Sequence, residues 1–198
     1  MITDFTFYMV AIPAVLLMGL GKGGFAGVGI LGLPLLSLVI PPLQAIAIIL
    51  PILMVQDVVG VWAFRHEFSR ENLKLMVPGA LLGLLVGYLF ARTVSSAIIL
   101  LLVGLISTLF VVYSLTGARR GRGGPTFPAR GPATLWGCVC GFTSFIANAG
   151  GPPFQVYMLP QKLPPKIYAG TAAVFFAMVN YLKFPAFVHL GQMTRQNL

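Results

Sequence analysis

Gly19-Leu20-Gly21-Lys22-Gly23-Gly24-Phe25-Ala26-Gly27-Val28-Gly29 interrupts an apolar stretch that runs over residues 5–40. A second break, Gly141-Phe142-Thr143-Ser144-Phe145-Ile146-Ala147-Asn148-Ala149-Gly150-Gly151-Pro152-Pro153, follows about 123 positions later, again in apolar surroundings. In hydrocarbon an unwound backbone finds no water for its N–H and C=O groups, so such breaks persist only where they line a cavity or lie buried in protein. A matching pair in the two halves of a polytopic chain points to a transporter's substrate site.

The solvent follows from composition. Of 198 residues 58% are apolar and 9% charged, with a mean hydropathy of +0.92. A soluble domain carries about 25% charged residues, and a membrane span needs about 20 apolar ones. Several runs meet that length, so the fold class is an all-α, polytopic membrane helix bundle in a lipid bilayer. The net charge of +9 would suggest nucleic acid in a soluble protein. No basic patch with interleaved aromatics is present, so no nucleic-acid partner is expected and the excess is assigned to cytoplasmic loops. Cys138 and Cys140 are too few for a structural zinc site and are read as small packing residues. The N-terminal run lacks a basic leader and a small-residue cleavage site, and is read as a membrane helix. No H-E-x-x-H, G-x-S-x-G or phosphate-loop pattern occurs, so neither enzyme activity, metal nor cofactor is expected.

The first apolar stretch is too long for one straight span and short for two, which suits two part-length pieces meeting at the glycine break. Pro41-Pro42 ends it. Further spans are expected over 43–64, with Pro51 as a kink, and over 73–91 and 96–115. Gly79, Gly83 and Gly87 recur every fourth residue and form one close-packing helix face. Residues 117–132 are a Gly/Pro linker with four arginines, the strongest cytoplasmic signal in the chain. Walking back from it, the loop over 65–74 is also cytoplasmic and the turn at Arg92 is external.

Shifted by 123 positions, the second half echoes the first. Pro41-Pro42 falls on Pro164-Pro165, Gly27 on Gly150, Asp57 on Asn180, Ala63-Phe64 on Ala186-Phe187 and His66 on His189. This predicts an internal duplication, with a first repeat over 1–116, the linker over 117–132 and a second, incomplete repeat over 133–198. The second copy has no counterpart of 73–91 and 96–115. About 45 further residues would complete it, so a truncated chain is expected, and the absent spans are expected to be needed for function.

Charges within apolar segments are costly and mark function by default. Lys22 lies in the first break, far from either polar edge, and is preferred as an anion ligand beside half-helix N-termini over a snorkelling lysine. Gly21, Gly23, Gly24 and Gly27 let backbone approach a ligand. Asp57, deep in a span, either pairs structurally with Lys22 or takes up a proton and couples transport; its sequence context favours neither. In the second break Asn148, Gly150, Gly151, Pro152 and Gln155 are the expected substrate contacts, with Ser144 as a further polar group and Thr171 as a hydroxyl in the next span. Lys183 is read as a structural lysine that snorkels to the interface. His66 and His189 are read as loop residues at span ends. Residues 21–29 and 147–153 are expected to be non-helical and to lie within contact range of one another.

The run from Gly19 to Gly27 into Leu33-Pro34-Leu35-Leu36, then Pro41-Pro42 with Ala45 and Ala47, resembles the first repeat of the TauE/SafE sulfite exporter family, also called the toluene-sulfonate uptake permeases. Gly141-Phe142 through Asn148-Ala149-Gly150-Gly151-Pro152-Pro153, followed by Tyr168-Ala169-Gly170-Thr171, resembles its second repeat. The resemblance implies two four-span repeats in the bacterial inner membrane that move sulfite or other sulfur-containing or organic anions.

The expected function is therefore a permease that exports a small anion such as sulfite or an organosulfonate by alternating access. The alternative is a membrane-embedded assembly or scaffold protein for a sulfur or redox complex. Topology stays open between two forms. Four crossings per repeat make the halves parallel. If residues 5–40 instead cross twice as a hairpin, the halves are inverted and Lys162 and Lys166 share the cytoplasmic side.

Overall fold

The structure, a computed structural model, describes residues 5–22, 28–117 and 128–193, with side chains for all of these except 22, 110, 111 and 113–117. The described residues form an all-α bundle: α1 (Phe5–Lys22), α2 (Gly32–Leu36), α3 (Pro42–Ala63), α4 (Arg70–Thr93), α5 (Ser96–Gly117), α6 (Arg130–Ala147), α7 (Gly151–Met158) and α8 (Pro165–His189). Short 3₁₀ turns, Val28–Leu31 and Leu159–Gln161, lead into α2 and out of α7. Three helices, α3, α4 and α8, are long and apolar enough to cross a membrane, and α1 and α5 contain shorter apolar helices.

Local sequence explains the ends. Pro42 and Pro165 open α3 and α8 at the first helical position, where the missing N–H costs nothing. Ser69 caps α4: its hydroxyl accepts from the Asn72 backbone N–H at 3.3 Å. Pro51 lies inside a continuous α3. The distribution of polarity is that of a protein in lipid: Trp62 and Leu101 point outward, while Asp57, Asn72, Asn180 and Lys183 are buried. Polar groups in hydrocarbon turn toward the bundle interior.

The glycine stripe packs as its spacing predicts. A Cβ on Gly79 would strike the Thr134 carbonyl, one on Gly83 the Cys138 carbonyl, and one on Gly87 the Phe145 ring. From the other side, Gly137 meets the Met76 carbonyl and Gly141 that of Ala80. Numbers rise together along this seam, so α4 and α6 run parallel.

Each glycine-rich break is a reversal. Gly29 lies against Gly21 and the carbonyls of Leu17 and Met18, and Gly32 against Met18 and the Ala14 carbonyl. The chain thus doubles back along α1. Likewise Gly150 lies against the Cys140 carbonyl and the Ser144 Cβ, so α7 starts by returning along α6. Residues 28–36 therefore lie back along α1 and do not continue it as a single span.

α3 and α8 run antiparallel. Gly170, near the start of α8, meets Glu67, just past the end of α3. Thr171 accepts from the Ser69 N–H at 2.8 Å, and the Lys166 ammonium stands 3.6 Å from the Glu67 carboxylate. Ten residues further along α8, about 15 Å at helical rise, Asn180 donates to the Asp57 carboxylate at 2.7 Å. These two residues are 123 positions apart, the spacing of the sequence echo.

Candidate functional site

The second break is held by one lysine. α6 ends at Ala147, and Asn148 follows in the left-handed region at φ 48°, ψ 29°, where asparagine is among the few side chains that settle readily. Its N–H and that of Ala149 both donate to the Thr143 carbonyl, a C-terminal cap that satisfies one otherwise orphaned acceptor. From α8, the Lys183 ammonium donates to the Ser144 carbonyl at 3.1 Å, the Ser144 hydroxyl at 3.2 Å and Asn148 Oδ1 at 3.0 Å. Lys183 does not snorkel; it is fully buried. A buried cation is costly unless it is hydrogen-bonded and electrostatically matched. Here three oxygens stand within hydrogen-bonding distance of it, and the negative end of the α6 dipole lies beside it.

One turn back along α8, Asn180 reaches Asp57 on α3. The neighbouring Gln56 approaches the first break, its Nε2 lying 3.6 Å from where a Cβ on Gly19 would stand. Gln56 Oε1 is buried and, among the described residues, has no hydrogen-bond partner. A line of polar groups thus runs from Ser144 and Asn148 through α8 and α3 to the first break. Among the described residues, the two breaks are connected through these two long helices.

The expected site residues fall as follows. Asn148 and Gly150 form the turn between α6 and α7, whereas Gly151, Pro152 and Pro153 already belong to α7, so the second break is narrower than 147–153. Among the described residues, no atom lies within 4 Å of a Cβ built on Gly151, so this position is open. Pro152 and Pro153 carry no N–H, which leaves Gly150 and Gly151 as the amides available there. Gln155 is half-buried on α7. In the first break Gly21 and Lys22 end α1, and Val28 and Gly29 lie in a 3₁₀ turn. Gly23, Gly24, Gly27 and the Lys22 side chain lie outside the described residues. Thr171 is buried and holds the loop before α4, accepting from Ser69 and donating to the Ile167 carbonyl.

A family model described as Sulfite exporter TauE/SafE matches residues 11–198. The chain belongs to the sulfite exporter TauE/SafE family. Its membrane character and its class as a transporter follow from that membership and from the apolar helices of the structure. No curated protein and no solved structure matches the chain. The two glycine breaks, Asp57 and Lys183 of this TauE/SafE chain all lie within the matched span.

Two elements of the polar interior escape sequence reasoning. Lys183 sits two turns from a helix end, where snorkelling is the ordinary outcome; only the position of α6 turns it inward. The amides of Asn72 and Gln161 pair reciprocally at 3.0 and 3.1 Å and tie the start of α4 to the 3₁₀ turn after α7. Their separation of 89 residues hides the pair.

Asn148 makes two separable contributions. Asn148→Gly deletes the amide oxygen that meets Lys183 but suits the left-handed backbone. Asn148→Ala deletes the same oxygen and adds about 1–2 kcal/mol of backbone strain. Thermal unfolding in mild detergent is expected to rank wild type above Asn148→Gly and Asn148→Gly above Asn148→Ala. Equal stability of the two variants would remove the backbone argument.

Proposed function

We propose that the chain is a multi-pass permease of the bacterial inner membrane that exports a small oxyanion, sulfite or an organosulfonate, by alternating access. The observation that carries this reading is the Asp57–Asn180 bond between antiparallel α3 and α8. Under a two-fold relation, only groups on the axis meet their own counterparts. An axis perpendicular to two antiparallel spans lies in the membrane plane, the inverted-repeat arrangement in which substrate sits between broken helices near the midplane. On this reading residues 1–116 and 133–198 are the two repeats, joined by the linker over 117–132. Loop 65–72 and Lys162 and Lys166 lie at the cytoplasmic end, with Arg92 outside.

The anion sits between the breaks. Lys22 supplies the charge, with Gly21, Gly23, Gly24 and Gly27 allowing close approach of backbone. Gly150 and Gly151 donate amides, while Asn148, Pro152 and Gln155 shape the opposite wall. Asp57 is the proton-coupling candidate. An inside-negative potential already drives an anion outward, by about 2.3 kcal/mol per charge per 100 mV.

Sulfite efflux from loaded proteoliposomes tests this reading. Saturable efflux above that of protein-free vesicles is expected. Lys22→Ala is expected to weaken the apparent anion affinity about 5- to 150-fold, equivalent to about 1–3 kcal/mol, and Lys22→Arg to keep part of it. Unchanged affinity in well-folded Lys22→Ala would remove Lys22 from the site. Absence of flux from folded wild type, for sulfite and sulfonates alike, would favour the scaffold role.

A further inference from the structure

We propose that the end of α6 is a cation site that the protein fills with its own Lys183 ammonium, so that a sodium ion occupies it only when that ammonium is removed. The ligand set is the first reason. Ser144 O, Ser144 Oγ and Asn148 Oδ1 are a carbonyl, a hydroxyl and an amide oxygen converging on one point at 3.0–3.2 Å. Hard cations take oxygen ligands of these kinds. The location is the second. In transporters with discontinuous helices, unwound carbonyls and half-helix C-termini are the places where coupling ions bind, and this point lies at the C-terminal end of α6, directly before the break. Burial is the third: Lys183 is fully enclosed, so the charge is held from α8 by its own side chain and cannot dissociate as a free ion does.

The same geometry excludes a different role. An ammonium has three donors, and its nitrogen already stands 3.0–3.2 Å from three protein oxygens here. Lys183 therefore organises the break and does not ligate the transported anion. The consequence for coupling rests on the proposed transport function: a site already filled by a tethered cation needs no sodium, and export proceeds without a sodium gradient.

The test reads stability, so it stands apart from transport. Purified protein is unfolded thermally in detergent with sodium chloride, potassium chloride or choline chloride at equal concentration. Wild type is expected to unfold at the same temperature in sodium and in choline. Lys183→Ala opens the site, and Lys183→Ser opens it while returning one hydroxyl. Both are expected to unfold at lower temperature than wild type in choline and to recover about 3–6 °C in sodium, with less recovery in potassium. Sodium that stabilises wild type as much as the variants would overturn the proposal, as would variants that gain nothing from sodium over choline. Yield is a readout too: folded variant recovered only in sodium supports the site, and failure to fold in either salt overturns it. If the sodium effect is found while sulfite efflux is absent, the cation site stands and the transport function falls.

Discussion

Gly83→Leu is expected to leave almost no folded protein. Gly83 faces the Cys138 carbonyl so closely that even a Cβ overlaps it, and the atoms in the way are backbone on a neighbouring helix. Side chains can change rotamer, but a helix backbone can only move away as a whole. Extra methylenes in a well-packed core cost about 1–3 kcal/mol. Here the insertion also parts a seam that includes Gly79, Gly87, Gly137 and Gly141, and close approach is what drives helix association in lipid. Against a total stability of about 5–15 kcal/mol, parting this seam removes a large share. Gly104→Leu on α5 is the control, since a Cβ there meets nothing within 4 Å among the described residues. Monodisperse yield by size-exclusion chromatography measures both. Normal yield from Gly83→Leu would mean that α4 and α6 are not packed through this seam.

Asp57 carries the second large effect. Asp57→Leu removes a buried carboxylate and leaves the Asn180 amide, which now donates to it at 2.7 Å, without that acceptor. Leaving a buried amide donor without its acceptor costs about 1–3 kcal/mol. Asp57→Leu is therefore expected to express poorly. Asp57→Asn keeps an oxygen that can accept from Asn180 and is expected to fold. In the proteoliposome assay it is expected to lose at least about tenfold in efflux, equivalent to 1.4 kcal/mol, and to lose the dependence on pH, because no proton can be taken up at that position. Poor expression of Asp57→Asn that Lys22→Ala restores would instead make Asp57 the structural partner of Lys22. Full, pH-dependent efflux from Asp57→Asn would exclude both roles.

The membrane class, the all-α architecture and the positions of the long helices in the first half were legible in the sequence, because they depend on local quantities. Apolar runs of span length force helices, since each helix satisfies its own backbone in lipid. Pro42 and Pro165 mark helix starts and glycines at every fourth residue mark a packing face, whatever lies opposite them. The 123-residue echo is a property of the string of residues, and it already paired Asp57 with Asn180. Three things needed the folded chain. One is the course of residues 5–40, for which charge allowed more than one topology; contact of Gly29 and Gly32 with α1 shows that the chain turns back along that helix. Another is the direction of α8 against α3, since hydropathy is blind to which way a helix runs and only contacts such as Lys166 with Glu67 carry that information. The last is the fate of Lys183. A lysine two turns from a helix end reaches the interface unless something stronger holds it, and here it meets oxygens at and just past the end of α6, 35 and 39 residues away in the chain. Propensity and patterning act over a few residues, whereas a buried charge is decided by whatever the tertiary fold sets around it.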